Sequence, residues 1–578
     1  MSVQNQCTIL SILQFTPPGA KLPVELFPIN ESEVSEHRAQ YQFGVLEIST
    51  PDKDALPHTW DVKLDVDCSG SMSDICIDGR TKLQHIKHVL SNILRLFASY
   101  RNIIFNVSIE AFDDTLHSVF DFVHITPDNV EENIAKINAI HPIGQTNLVL
   151  PLKNTKEQMS KRLSAFPANR RLHLLLTDGN DTCCNLSKTI VNTVDVQYDT
   201  IIFGFGQDHD AKTLMAIGEK PFCEYAFIAE LEKAGIVYGE YIHNVLYRCI
   251  EGLTVLLQNA EIYCWKTNTW SSTLCIGNIA SGLTKSYYVR TTHHVETVCG
   301  QINGRECVLD DTHCEFMKLN EFETMPHLIS EDGEIDANEF KDHSLRFKTL
   351  ELLYEVAHLN DIDNTEAIDE TITSPLHVFP PGWFTPKKSE KYCAKEKVIK
   401  EKILALYRII RDYKVDTYGE SEPNTLLSSL MDDLYIARRS FDSDNGHLYT
   451  MARQRTQGTQ NVYSPSNIDD MIDSQTSTIP HLTRNRTIYK ANCDDPFMTN
   501  SPSQMCDSMM PPPSPFTFGT RTNRPRACTA MFAGDEEDIL IHNISCGTQD
   551  NYSTPRMLDI IRSTSDGEGD DPSSINIL

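Results

Sequence analysis

The chain of 578 residues lacks the features that mark several large classes of protein. It contains no run of roughly 18 or more apolar residues, so we expect no membrane-spanning helix. The opening sequence MSVQNQCTILSILQF has no basic segment and no long apolar core, so we expect no secretory signal peptide. Basic residues are few: 51 against 80 acidic residues give a net charge of −29, which argues against nucleic acid and membranes as partners.

Sequence patterns of common disulfide, zinc and catalytic sites are also missing. The 17 cysteines are scattered and never spaced as C-x-x-C, which favours a reducing, intracellular compartment, most simply the cytoplasm. The cysteines and histidines between His293 and Cys314 lack the close paired spacing of a zinc site. The sequence has no Walker A run, H-E-x-x-H pair, nucleophile elbow or RING-type cysteine pattern, so we expect no enzymatic activity.

Length and composition predict several domains rather than one core. Residues 1–56 contain short strand patterns, which we expect to pair with a later β region, and residues 57–258 alternate between strand and helix patterns. Residues 259–460 are first β-rich and then helical. Residues 461–578 are rich in proline and of low complexity, so we expect a largely disordered tail.

The region 57–258 shows the periodicity of an α/β fold. A helix is predicted over 80–99, because apolar residues there recur at helical spacing. The segments Arg171 to Thr177 and Thr200 to Phe205 are almost purely apolar, which is typical of parallel strands covered on both faces. This alternation predicts a doubly wound, mostly parallel sheet.

Polar residues follow the strands of this region at three places. Asp67-Cys68-Ser69-Gly70-Ser71 comes after an alternating strand, Thr146 lies in a loop before a helical stretch, and Thr177-Asp178-Gly179 ends an apolar strand. In parallel sheets, ligands bind at the carboxyl ends of the strands. Hydroxyl and carboxylate oxygens suit Mg²⁺, Mn²⁺ or Ca²⁺. The alternative is that these residues only cap helices and form turns.

D-x-S-x-S, a loop threonine and T-D-G, in this order, resemble the von Willebrand factor A (VWA) family and its metal-ion-dependent adhesion site (MIDAS). The resemblance implies that Ser69, Ser71 and Thr146 bind the metal directly and that Asp67 and Asp178 bind it mainly through water. Mg²⁺ is the expected metal, with Mn²⁺ or Ca²⁺ as alternatives. The implied ligand is a partner protein that supplies an Asp or Glu. A VWA fold whose site is intact but idle is the other interpretation.

Residues 259–460 resemble more loosely the Vwaint (VWA/Hint-associated) segment that follows the VWA domain in some ubiquitin-ligase-like proteins. The resemblance rests on LCIGNIASGLTKSYYVRT and HLYTMARQRTQGTQ. Two functions are therefore expected: metal-dependent capture of a partner carboxylate, or a metal-independent scaffold in a ubiquitin-ligase-like or virion assembly.

Ser330 to Phe340 resembles part of a calcium-binding EF-hand loop, but Leu328 stands where the first side-chain ligand is needed.

Overall fold

The computed structural model describes most of the chain up to residue 465 and a short segment near its end. The described residues are 10–15, 43–76, 78–183, 185–206, 209–229, 231–291, 298–308, 317–324, 337–359, 390–419, 425–442, 446–465 and 552–565. All of them belong to one compact unit, Met1–Ile468 with Ile544–Leu578. A second unit, Asp469–Asn543, lies outside the described residues, as does most of the segment resembling an EF-hand.

The strands of the described residues form three sheets. In chain order they are β1 (Leu10–Phe15), β2 (Phe43–Ser49), β3 (Thr59–Asp67), β4 (Ile104–Phe112), β5 (Leu116–His124), β6 (Arg170–Thr177), β7 (Asp199–Phe205), β8 (Cys223–Ile228), β9 (Arg248–Leu257), β10 (Ala260–Cys264), β11 (Thr269–Ser271), β12 (Thr273–Ala280), β13 (Thr284–Thr291), β14 (Val298–Glu306) and β15 (Met317–Thr324).

The helices follow the same order along the chain. They are α1 (Lys82–Ser99), α2 (Val130–Asn138), α3 (Val149–Ala165), α4 (Ser187–Thr193), α5 (Ala211–Gly218), α6 (Ala234–Leu246), α7 (Ala337–Ala357), α8 (Glu390–Tyr418), α9 (Thr425–Arg439), α10 (Gly446–Thr459) and α11 (Pro555–Ser565). Within the described part of the chain, no helix combines the length and the apolar character needed to cross a membrane.

The central sheet has six strands in the order β5-β4-β3-β6-β7-β8. The antiparallel edge strand β5 is the exception in an otherwise parallel sheet. The prediction of a doubly wound, mostly parallel α/β fold is therefore confirmed. Two elements were not foreseen, the edge strand β8 and the helix α6 that follows it. The residues of α6 are apolar on nearly all faces of the helix, so the sequence lacks the 3.6-residue hydrophobic periodicity that would predict it.

Strand β3 lies at the centre of this sheet and is buried on both faces. Its apolar residues Val62, Leu64 and Val66 pack in one core cluster with α1 and α6. The intervening polar residues are buried as well, since β3 pairs in parallel with both β4 and β6. The alternation of apolar and polar residues therefore does not mark a solvent-exposed face here.

The polar face of β3 is satisfied by charged and hydroxyl groups of α3. The Arg162 guanidinium donates to Asp61, with Nε 2.9 Å from Oδ2, and Thr155 Oγ1 donates to Asp65 Oδ2 at 2.6 Å. Between them, the ammonium of Lys63 is 3.5 Å from Asp65 Oδ1. Pairing of this kind is what allows charged side chains to lie inside a protein.

Two antiparallel sheets lie beside this core, in the orders β1-β2-β13-β10-β11 and β12-β9-β14-β15. Strand β2 pairs along its length with β13, with Leu46 opposite Tyr287. The residues between the sheets, among them Leu46, Ile250 and Val289, form a separate apolar cluster. Strand β9, which the sequence analysis grouped with the α/β region, belongs to the four-stranded sheet. The predicted domain boundaries stay predictions.

Buried polar contacts join these layers. Arg346 of α7 donates to the hydroxyl of Tyr288 in β13 at 3.0 Å and to Gln457 Oε1 of α10 at 3.2 Å. The carboxylate of Glu240 on α6 accepts the backbone N–H groups of Val462 and Tyr463, at 2.8 and 3.3 Å. The segment after α10 is thereby fixed to the α/β core.

Helix α11 lies within the segment that the sequence analysis expected to be largely disordered. It packs on α6, where a Cβ added to Gly239 would lie only 2.6 Å from Ile561 Cα. Thr564 Oγ1 donates to the carbonyl of Gly235 at 2.7 Å, and Asn92 Nδ2 of α1 donates to the carbonyl of Thr564 at 3.2 Å. The glycines on α6 permit this close approach.

Replacing Ile561 with Asp should release α11 from α6. Ile561 is only 5% exposed, so the change removes apolar burial and places an unpaired charge in the contact, at a cost of about 3 kcal/mol. Hydrogen exchange measured by mass spectrometry should increase across 552–565 and on the facing side of α6. Arg562→Asp is the control, because the Arg562 side chain is 53% exposed. Equal protection in both variants would contradict this packing.

Candidate functional site

The loop after β3 begins the candidate site. Asp67 is the last residue of the strand, and its Oδ1 accepts the backbone N–H of Ser69 at 2.8 Å. A short 3-10 turn, Gly70–Ser73, follows and directs the loop toward α1. The N–H of Gly70 donates to the carbonyl of Gly144 at 3.2 Å, which brings a second loop beside the first.

The carboxyl group of Asp67 is completely buried at the junction of β3 and β6. Its Oδ2 accepts a hydrogen bond of 2.6 Å from Thr177 Oγ1, at the end of β6. Burial raises the pKa of Asp67 to about 6, although the hydrogen bonds from Thr177 and Ser69 oppose this shift. Neither of these hydrogen-bond partners carries a charge. A cation next to Asp67 would favour the ionised form of its carboxyl group, because opposite charges attract.

Ser71 and Asp178 are joined directly across the site. Ser71 Oγ donates to Asp178 Oδ1 at 2.7 Å, and it lies 3.1 Å from Ser69 Oγ. Asp178 follows the last residue of β6 and is only 1% exposed. The two loops at the carboxyl ends of β3 and β6 therefore meet through side-chain oxygens.

Thr146 reaches the same place from the loop before α3. A Cβ added to Gly179 would lie 3.1 Å from Thr146 Oγ1 and 3.9 Å from Ser71 Oγ, so both hydroxyls flank this glycine. The Thr146 backbone is held by Thr182, whose Oγ1 accepts the Thr146 N–H at 2.9 Å.

The structure thus brings together all five residues that the sequence analysis selected. We call this group the oxygen site, and its members are Asp67, Ser69, Ser71, Thr146 and Asp178. Coordination of a metal by these residues stays a prediction.

A lysine that the sequence analysis missed also enters the site. Lys82 Nζ donates to Asp178 Oδ2 at 2.6 Å and to Asp74 Oδ2 at 3.1 Å. Burial lowers the pKa of Lys82, but the contacts with Asp178 and Asp74 outweigh burial and raise it overall. The sequence feature that could have indicated this contact is the position of Lys82 at the first residue of α1. A cation is disfavoured there by the helix dipole unless a nearby anion compensates it.

The donors of the oxygen site suit a hard divalent cation. Three neutral hydroxyls and two carboxylates are typical ligands of Mg²⁺, Mn²⁺ and Ca²⁺, and they include no sulfur or imidazole. The site lies at the carboxyl ends of parallel strands, where this class of sheet binds ligands. Of the cysteines and histidines between His293 and Cys314, the structure describes Cys299 and Cys307 alone.

Comparison with protein families identifies this part of the chain. The model of the von Willebrand factor type A domain matches residues 61–237, so the chain contains a VWA domain there. The matched range includes β3 from Asp61 onward, β4 to β8 and the whole oxygen site. No match to a curated protein was found.

Several solved structures are similar to this chain at low sequence identity. A von Willebrand factor type A protein from Catenulispora acidiphila has 12% identity and a TM-score of 0.45, over 78% of this chain and 97% of that chain. The manganese-loaded TRAP protein of Plasmodium vivax has 13% identity and a TM-score of 0.26, over 49% and 98%. Proximal thread matrix protein 1 from the mussel byssus, with a zinc-occupied MIDAS motif, has 19% identity and a TM-score of 0.25, over 32% and 45%.

Replacing Lys82 with Met should strengthen binding of Mg²⁺ at the oxygen site. The ammonium group would compete with a bound cation for Asp178 and repel it, so its removal should lower the Kd roughly three- to tenfold. Titration calorimetry at low salt measures the change. Lys87→Met is the control, since Lys87 lies on the same helix and donates to the carbonyl of Asn138. Weaker binding in Lys82→Met would contradict competition.

Proposed function

We propose that the VWA domain at residues 61–237 binds a divalent cation at the oxygen site and uses it to capture a partner protein. Mg²⁺ is the expected cation, with Mn²⁺ and Ca²⁺ as alternatives. The observation that supports the proposal is the convergence of five oxygen-bearing side chains from three loops at the carboxyl ends of β3 and β6.

The chemistry of the donors suggests what the partner supplies. Hydroxyl groups are neutral, so direct ligands of that kind leave most of the positive charge on the cation. An Asp or Glu side chain of a partner would supply the missing negative charge as a further ligand. The net charge of −29 does not prevent this, because salt screens such fields beyond roughly 8 Å at physiological ionic strength.

The general behaviour of the domain supports a binding role. VWA domains are typically metal-dependent interaction modules, and they bind protein ligands generally. A cation favours the ionised form of a neighbouring carboxyl group such as that of Asp67, which suits ligation rather than proton transfer. We therefore propose a binding protein without enzymatic activity, acting inside the cell.

A metal-independent scaffold is the second candidate, and one contact favours it. The Lys82 ammonium pairs with Asp178 and can balance the charge of this carboxylate in place of a metal. Buried contacts join the two antiparallel sheets and the helical region to the VWA core, as expected of one platform. In this form the protein would act within a ubiquitin-ligase-like or virion complex, and residues 259–460 would be its Vwaint-like part.

Replacing Ser69 with Ala should remove binding of Mg²⁺ and Mn²⁺ and, with it, capture of the partner. The change deletes one direct ligand, so we expect the metal Kd to rise at least roughly tenfold while the fold is retained. Titration calorimetry measures the metal, and pull-down with and without EDTA measures capture. Ser73→Ala is the matched control, because Ser73 lies in the same turn and its hydroxyl donates to the carbonyl of Gly70.

The two candidates give opposite results in this experiment. Partner capture that is lost in EDTA and in Ser69→Ala, but kept in Ser73→Ala, supports metal-dependent binding. Capture that survives EDTA supports the scaffold. Metal affinity that is unchanged in Ser69→Ala contradicts the assignment of the oxygen site itself.

A further inference from the structure

A second group of side chains with potential metal-ligating atoms lies beside the oxygen site and includes a thiol and an imidazole. Cys68 follows β3, Asp113 follows β4, and His117 lies in β5. The thiol sulfur, a carboxylate oxygen and an imidazole nitrogen of these residues all lie within 4.8 Å of one another. One sulfur, one oxygen and one nitrogen atom from three separate segments of the chain therefore lie close together.

The backbone explains why these side chains meet. The Cys68 N–H donates to the carbonyl of Phe112 at 2.8 Å, and the Cys68 thiol donates to the same carbonyl at 3.3 Å. Asp113 is the next residue after Phe112. His117 stands opposite Ala111 in the antiparallel pairing of β4 with β5. The hairpin formed by these strands thus folds its histidine back toward the end of β3.

The carboxyl group of Asp113 is held in place independently of any ligand. Its Oδ1 accepts hydrogen bonds from Thr115 N at 2.6 Å and Thr115 Oγ1 at 2.8 Å. His117 Nε2 lies 3.2 Å from the same oxygen. Asp113 and Cys68 are almost completely buried, whereas the side chain of His117 is 47% exposed. The group is therefore fixed on its inner side and open to solvent through the histidine.

We propose that Cys68, Asp113 and His117 form a binding site for a borderline divalent cation of the zinc class. Zinc accepts cysteine sulfur, histidine nitrogen and aspartate oxygen, and three protein ligands leave a fourth position for water. At zinc bond lengths of about 2.0 to 2.3 Å, neighbouring ligand atoms lie roughly 3.5 Å apart, so a small contraction of the group is needed. Coordination replaces the thiol proton of Cys68, which passes to solvent.

The occupied site would also restrain the loop that carries Thr146. The N–H of Ile143 donates to the carbonyl of Cys68 at 2.7 Å, and the N–H of Asn147 donates to the carbonyl of Asp113 at 3.0 Å. A Cβ on Gly144 would lie 2.6 Å from Asp113 Oδ2, so this loop runs close against the carboxylate. A cation that links Cys68 to Asp113 therefore fixes both anchor points of the loop.

Cobalt titration of the full chain tests this proposal. Co²⁺ is a spectroscopic substitute for zinc, and it gives a near-ultraviolet charge-transfer band when a cysteine thiolate binds it. With Mg²⁺ in excess to fill the oxygen site, we expect one equivalent of Co²⁺ to produce this band. The band should disappear in Cys68→Ser. In His117→Ala, the Co²⁺ affinity should fall roughly tenfold or more.

Two further variants give the experiment its controls. Cys275→Ser removes an exposed cysteine elsewhere and should leave the band unchanged. Ser69→Ala should also retain the band, although it disables the oxygen site, so that failure of the proposed function and failure of this proposal are distinguishable. If Cys68→Ser does not fold, His117→Ala replaces it as the test, because His117 is half exposed.

Either of two results would overturn the proposal. Absence of the band in the wild-type chain means that the three residues do not bind this class of cation. A band of equal intensity in wild-type, Cys68→Ser and His117→Ala chains assigns it to other cysteines and also contradicts the site.

Discussion

The candidate site depends on the parallel pairing of β3 with β6. Val66 stands opposite Leu176 in that pairing, so the two strands end side by side. The hydrogen bond from Thr177 Oγ1 to Asp67 Oδ2 then closes the register at the carboxyl end. A shift of one residue would turn Asp67 or Thr177 to the opposite face of the sheet. The geometry of the oxygen site is thus a consequence of strand register.

The same strand depends on buried charge for its position. Asp61, Lys63 and Asp65 point to one face of β3, and all three are inaccessible to solvent. Breaking a buried ion pair is costly, because the remaining charge keeps its desolvation penalty without compensation. The contacts with Arg162 and Thr155 therefore set how α3 lies across the sheet. Since Thr146 lies three residues before the first residue of this helix, the buried network also helps to position the oxygen site.

Local sequence predicted the α/β fold, because strand and helix periodicities are local, and it marked polar residues after three strands or loops. The grouping of Asp67, Ser69, Ser71, Thr146 and Asp178 into one site came from the resemblance to the VWA family. Contacts between elements far apart in sequence could not be predicted in this way. The contact of Lys82 with Asp178 joins residues far apart in sequence, and neither residue alone indicates the other. Helix α11 is a similar case, because its docking depends on the absence of side chains at Gly235 and Gly239. In a sequence, a glycine within a helical pattern more often indicates a less stable helix than a close contact between two helices.

The end of β3 explains how two kinds of donor can lie so close together. In an extended chain, successive side chains point to opposite sides. Asp67 and Ser69 therefore face the loops that carry Asp178 and Thr146, whereas Cys68 between them joins the apolar cluster below the hairpin of β4 and β5. Hard oxygen donors and a soft sulfur donor are thereby separated by the backbone alone. Because Asp67, Cys68 and Ser69 are consecutive, the backbone at the end of β3 sets the positions of both sets of donors.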